Sequence, residues 1–217
     1  CVRARRSVRE VVLMPLPLPV AERRRVHKRA ITLEGFRRSD GLWDIEGHLQ
    51  DTKDAPFDIH GDMRLPGDAV HDISVRLTID HRMNVLDVAV SFDATAFPGT
   101  CETVGPDYRQ VVGLNLFKGF VKTVKTLFHG TQGCTHVSEL LMSMPTAAFQ
   151  AFAGQVRQED RVDARQVPYH LDRCHALSLE SEVVRRAYPR WYRGGKPVSG
   201  DALPGMPTSP EGRRDAG

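Results

Sequence analysis

From residue 31 to residue 92 apolar and polar side chains alternate with period two, and this alternation constrains the fold more than any other feature of the chain. A strand turns successive side chains to opposite faces, so such a run describes a ribbon with one buried face and one wet face. Ile31, Leu33 and Gly35 alternate with Thr32 and Glu34. Ser39-Asp40-Gly41 is a turn signal, after which Trp43, Ile45 and Leu49 share one face while Asp44, Glu46, His48 and Gln50 take the other. Two alternating runs joined by a short Asp-Gly link predict a hairpin. Phe57, Ile59, Met63 and Leu65 continue the pattern, followed by Ile73, Val75, Leu77 and Ile79. A turn at His81 to Asn84 leads into Leu86, Val88, Val90 and Phe92. Links this short permit only antiparallel neighbours, so the pattern predicts an antiparallel β meander of about five strands.

After residue 94 the period changes. A Pro/Gly loop over 94–106 is followed by helical spacing over Tyr108 to Leu114 and Lys118 to Phe128. Val137, Leu140, Leu141, Met144, Ala148 and Phe152 then keep helical spacing, with Pro145 as the expected kink. The helices need an apolar partner and the sheet needs a cover, which predicts an α+β fold with C-terminal helices on one face of the meander. Residues 157–168 read as a charged linker, and a short helix is expected near Glu180 to Ala187. The expected organisation is a leader over 1–28, a single α+β domain over 29–193, and a tail over 194–217 that is disordered by composition. The first methionine, Met14, is the expected natural start.

Composition narrows the function classes. The chain has 217 residues and a net charge of +3, but residues 1–30 hold nine Arg/Lys against two acids. The remaining residues therefore carry a small negative charge, which argues against nucleic acid as a partner. There is no run of 18 apolar residues, so no membrane span is expected, and the prolines of VVLMPLPLPVA do not suit a secretory helix. A cytoplasmic location is expected, with the four cysteines reduced. The expected partner is a protein or a small molecule.

The candidate chemistry centres on GCTHVSELL. Cys134 stands where a helix is expected to begin, and the free N–H groups there favour a thiolate. His136 lies in the same first turn. Cys101 follows the strands, and Cys174 adjoins His175. Cys101, Cys134, His136 and Cys174 together are the donors for a zinc site or an iron–sulfur cluster, although spacings of 30 to 40 residues are not those of a zinc ribbon. The same thiols are candidates for carrying sulfur as a persulfide. A cysteine-nucleophile enzyme using Cys134 with His136 or His175 as base is the alternative, and a non-catalytic binding module is the third. A buried cysteine beside a capping histidine is the plain structural reading of the pair. His48 and His60, with Asp44, Glu46, Asp58 and Asp62, read first as a solvated sheet face. Trp191 in YPRWYR reads as an apolar anchor before it reads as a base-stacking platform. No phosphate-binding glycine loop, serine-hydrolase elbow or His-Glu-x-x-His motif is present.

Three stretches carry a family resemblance: RAITLEGFRRSDGLWDIEGHLQDTK; ATAFPGTC with VVGLNLFKGFVKTVK and GCTHVSELL; and HLDRCHAL with YPRWYR. Together they resemble a bacterial family catalogued as the domain of unknown function DUF 2889. The resemblance implies a family and not an activity. The order of strands, loop cysteine Cys101, helices and helix-start cysteine Cys134 is similar in layout to the IscU/NifU-type iron–sulfur scaffold proteins. The first scaffold cysteine, in a Cys-Gly-Asp motif, has no counterpart here.

Overall fold

The structure, a computed structural model, describes residues 16–153, 167, 168 and 170–194. The expected start at Met14, most of the linker and the tail from 195 onward lie outside the described residues. The chain divides into two compact units, Glu22–Gln158 and one made of Cys1–Ala21 with Glu159–Gly217.

The first unit holds strands β1 (His27–Arg37), β2 (Trp43–Lys53), β3 (Phe57–Ile59), β4 (Asp62–Arg64), β5 (Ala69–Ile79) and β6 (Val85–Ala94). Four of them make one antiparallel sheet in the order β1-β2-β5-β6. The run over 57–65, expected as a strand of the meander, is instead a small separate hairpin of β3 and β4. His60 (φ 51°) and Gly61 (φ 94°) both take left-handed backbone, which reverses the chain within two residues. The Asp58 carboxylate accepts from the Gly61 N–H at 2.9 Å and fixes that turn. With this hairpin set aside, β2 pairs directly with β5.

The expected wet face exists. Arg76 pairs with Glu46 at 2.6 Å, and His48 and Gln50 both reach Asp72 across strands. These exposed cross-strand pairs fit a solvated sheet face. The opposite face carries Ile45, Leu49, Ile73, Val75, Leu77 and Ile79, each at 1% exposure or less.

Helices α1 (Phe120–Leu127) and α2 (Thr135–Phe152) cover that face. The segment before them, expected as a helix from Tyr108, is the end of a 3-10 helix over Cys101–Val111. Gly105 and Pro106 lie inside it, and a proline without an N–H does not suit a continuous α ladder. Helix α2 begins after Cys134, as expected, and runs through Pro145 to Phe152 as one element. Its Leu140, Leu141, Met144 and Ala148 are fully buried, and Phe152 stacks on Trp43 with ring centroids 4.2 Å apart. Each such large apolar side chain contributes about 1.5–3 kcal/mol by leaving water.

Two glycines let α2 lie close on the sheet. A Cβ on Gly35 would collide with the Cβ of Ala151, and one on Gly47 would meet Met144 and Leu140 at 3.1 and 3.2 Å. The C-terminal end of α2 thus rests near Gly35 and Trp43, and its middle on Gly47. Its first turns reach the end of β2 that carries Asp51.

The second unit contains α3 (Glu182–Ala187), close to the helix expected there. Ser181 caps it by accepting from the Val184 N–H at 3.2 Å, and Val184 is fully buried. Among the described residues no helix is long and apolar enough to cross a membrane.

Candidate functional site

The buried rows of the sheet do not stay apolar to their ends. On β2 the row is Trp43, Ile45, Gly47, Leu49 and then Asp51; on β5 it is Ile79, Leu77, Val75, Ile73 and then His71. On β1 the row through Leu33 and Ile31 continues to Arg29 and His27. The register places Arg29 opposite Asp51 and Asp51 opposite His71, so three polar residues form one transverse row across three strands. The β2–β5 register shifts just beyond it, between Asp51 and Thr52. Such irregularities redirect side chains beside sites.

Asp51 is 3% exposed and is the centre of the row. Arg29 donates to it twice, Nε to Oδ1 and Nη2 to Oδ2, each at 2.8 Å. His27 Nε2 lies 2.9 Å from Oδ1, and His71 Nδ1 lies 3.1 Å from Oδ2. The first turn of α2 adds His136, whose Nε2 is 3.6 Å from the same Oδ2. The His71 and His136 rings face each other with centroids 3.9 Å apart. Glu139, just beyond the first turn of α2, accepts from Arg29 Nη1 at 2.6 Å. The arginine thereby ties α2 to the sheet and holds the carboxylate by a two-pronged contact.

Burial alone would push the Asp51 carboxyl up. The hydrogen bonds from Arg29 and His27 outweigh it and hold the group far below the usual carboxylate range. His136 is pushed down to about 4, first by burial and then by the neighbouring His71 and Arg29 charges. It is therefore a neutral imidazole with a lone pair to offer at neutral pH.

Among the described residues, Asp51, His71 and His136 are a group whose ligating atoms all lie within 4.8 Å of one another, and no cysteine joins it. Cys134 is the N-cap of α2, as its sequence position suggests, and its Sγ is 3.7 Å from Nδ1 of His136. Tyr108 sets that cap: its buried hydroxyl accepts from the Cys134 N–H at 2.8 Å and donates to the Cys134 carbonyl at 2.9 Å. Cys101, expected in a loop, is the first residue of the 3-10 helix. It lines one cavity of about 440 Å³ together with Cys134, His136 and His71. Cys174 is exposed and belongs to the other unit. His60 and Asp58, read as part of the polar sheet face, sit on the β3–β4 hairpin and not on the sheet.

Asp51, His71, Arg29 and His27 are not among the sequence-derived candidates. The signal for them is phase: Asp51, His71 and Arg29 each take the next position of a row whose apolar alternation has just stopped, and His27 the one after Arg29.

No curated protein and no solved structure matches the chain. The family model described as "Protein of unknown function (DUF2889)" matches residues 27–150, which include every strand, α1 and the whole Asp51 cluster. With more than half of its length matched, the chain belongs to the DUF2889 family.

Proposed function

We propose that this protein binds one divalent transition metal, of the zinc or iron(II) class, through Asp51, His71 and His136. The observation that carries the reading is the spacing around Asp51 Oδ2: 3.1 Å to His71 Nδ1 and 3.6 Å to His136 Nε2. Ligands held about 2.1 Å from one ion at tetrahedral or octahedral angles stand about 3.0–3.4 Å apart. A separation of 3.6 Å is too long for a hydrogen bond but close to that of two donors sharing an ion. Two imidazoles and one carboxylate are a donor set used by zinc and by non-haem iron(II). Arg29, His27 and Glu139 are the surrounding groups that orient the carboxylate, as metal ligands require. Three protein donors leave positions for water and a substrate, so the ion would serve as a Lewis acid or activate a bound water. In this reading the thiols of Cys101 and Cys134 line the cavity and do not hold the ion.

One observation favours a second reading. Cys134 Sγ, the two ring nitrogens of His136 and Asp51 Oδ2 follow one another at 3.7 and 3.6 Å, the order of a nucleophile, a base and an orienting carboxylate.

The test is elemental analysis of the full chain purified without chelators. About one zinc or iron per chain is expected, lost in His71→Ala and His136→Ala and kept in Cys101→Ser and Cys134→Ser. Metal that disappears with the cysteine variants and survives His71→Ala contradicts the proposal. Absence of metal, with selective alkylation of Cys134, transfers the site to the second reading.

A further inference from the structure

A second cleft, of about 580 Å³, shares His71, Ala96 and Phe97 with the cavity beside Cys134. Its apolar lining is Phe57, Ile59, Val70 and Phe97. Phe57 and Phe97 keep 37% and 50% of their surface exposed, so two aromatic rings are offered to whatever enters. Six of the lining residues are titratable: Asp51, Asp58, Lys53 and the imidazoles His27, His60 and His71, with the His60 ring 5.4 Å from that of Phe97. Asp51 is engaged by Arg29 and His27, and Asp58 holds the turn of its own hairpin. Lys53 has no ion pair with a carboxylate among the described residues, and its ammonium stands 4.6 Å over the Phe57 ring. Lys53 follows Asp51 by two residues on β2, and both line the cleft, their Cα atoms about 7 Å apart along the strand. One ammonium above an aromatic ring suits a singly charged planar acid, whereas a phosphate dianion needs several converging donors.

We propose that this cleft binds a small aromatic carboxylate, with its ring against Phe57 and Phe97, its carboxylate on Lys53 and its far edge toward Asp51 and His71. The orientation toward a metal rests on the function proposed above, and the binding itself does not. The experiment is calorimetric titration of the full, chelator-treated chain with benzoate, its neutral isostere benzamide, and acetate. Benzoate is expected to bind about tenfold tighter than benzamide, the effect of one charge-assisted contact, and acetate more weakly than benzoate. Lys53→Met removes the preference for benzoate, and Phe97→Ala weakens benzoate and benzamide together. Both positions are on the surface of the cleft, so the fold tolerates either change. Equal affinity for benzoate and benzamide, acetate binding as tightly as benzoate, or indifference to Lys53→Met overturns the proposal. Benzoate that binds only after zinc is added, and ignores Lys53→Met, is coordinating the ion; that outcome keeps the metal site and rejects this cleft. Lysine-dependent benzoate binding by a chain that takes no metal does the reverse.

Discussion

Arg29 on β1 donates to both oxygens of Asp51, His71 on β5 lies beside Oδ2, and the helix start that delivers His136 closes over them. A neutral His136 is a condition of this packing, because its ring lies against His71 and near Arg29. The consequence for stability has a definite sign. An unfolded histidine titrates near about 6.5, and the folded His136 near about 4. Between those values the unfolded chain takes a proton that the folded chain refuses. The metal-free protein therefore loses stability as pH falls through that window, by up to about 1.4 kcal/mol per pH unit. The depressed Asp51 group adds to the loss below about pH 4, where its unfolded form protonates first. Urea midpoints of the chelator-treated chain between pH 7 and 4 measure this, and His136→Asn should flatten the slope across the window. An unchanged slope in that variant contradicts a neutral, buried His136.

At this scale the sequence was readable in part. Cys134 and His136 attract notice by residue type and do lie side by side. Asp51 and His71 are ordinary polar residues at the ends of apolar rows, and only their phase marks them. Their meeting depends on strand register, which alternation does not specify: the β3–β4 hairpin separates β2 from β5 along the chain.

The element that builds the site is α2. Its apolar spacing over Val137 to Phe152 is plain in the sequence, and so is its start at Cys134. What spacing does not disclose is its path across the sheet. Gly47 sets the path by admitting Leu140 and Met144 against the backbone of β2, and Gly35 does the same for Ala151. A glycine within an alternating strand reads as a weak position until a helix is seen resting on it. Overfilling that contact should cost about 2 kcal/mol. Gly47→Val is expected to lower the urea midpoint by that equivalent and to weaken zinc binding as His136 is displaced from Asp51. A variant with wild-type stability would show that α2 does not pack on Gly47. The hairpin β3–β4 is hidden in the sequence because its own alternation is as regular as that of a full strand. The two-residue reversal at His60-Gly61 breaks it, and positive φ at a residue other than glycine is uncommon even though histidine adopts it more readily than most.

For the whole molecule, the α+β class follows from period-two strands succeeded by helical spacing, and the structure has that order. All the proposed ligands and the core beneath them fall within Glu22–Gln158. The DUF2889 match covers the same strands and α2 as far as residue 150. Of the nine basic residues among the first thirty, Arg29 enters the site. The site is a local arrangement of one carboxylate, two imidazoles and the arginine that holds the carboxylate in place. Its chemistry is set by which atoms hold the ion.

X-ray absorption at the zinc edge of the zinc-loaded full chain reads those atoms directly. The expected first shell contains nitrogen and oxygen alone at about 2.0–2.1 Å, with the outer-shell scattering of two imidazoles. A zinc–sulfur distance near about 2.3 Å would contradict the account and return the ion to Cys101 and Cys134.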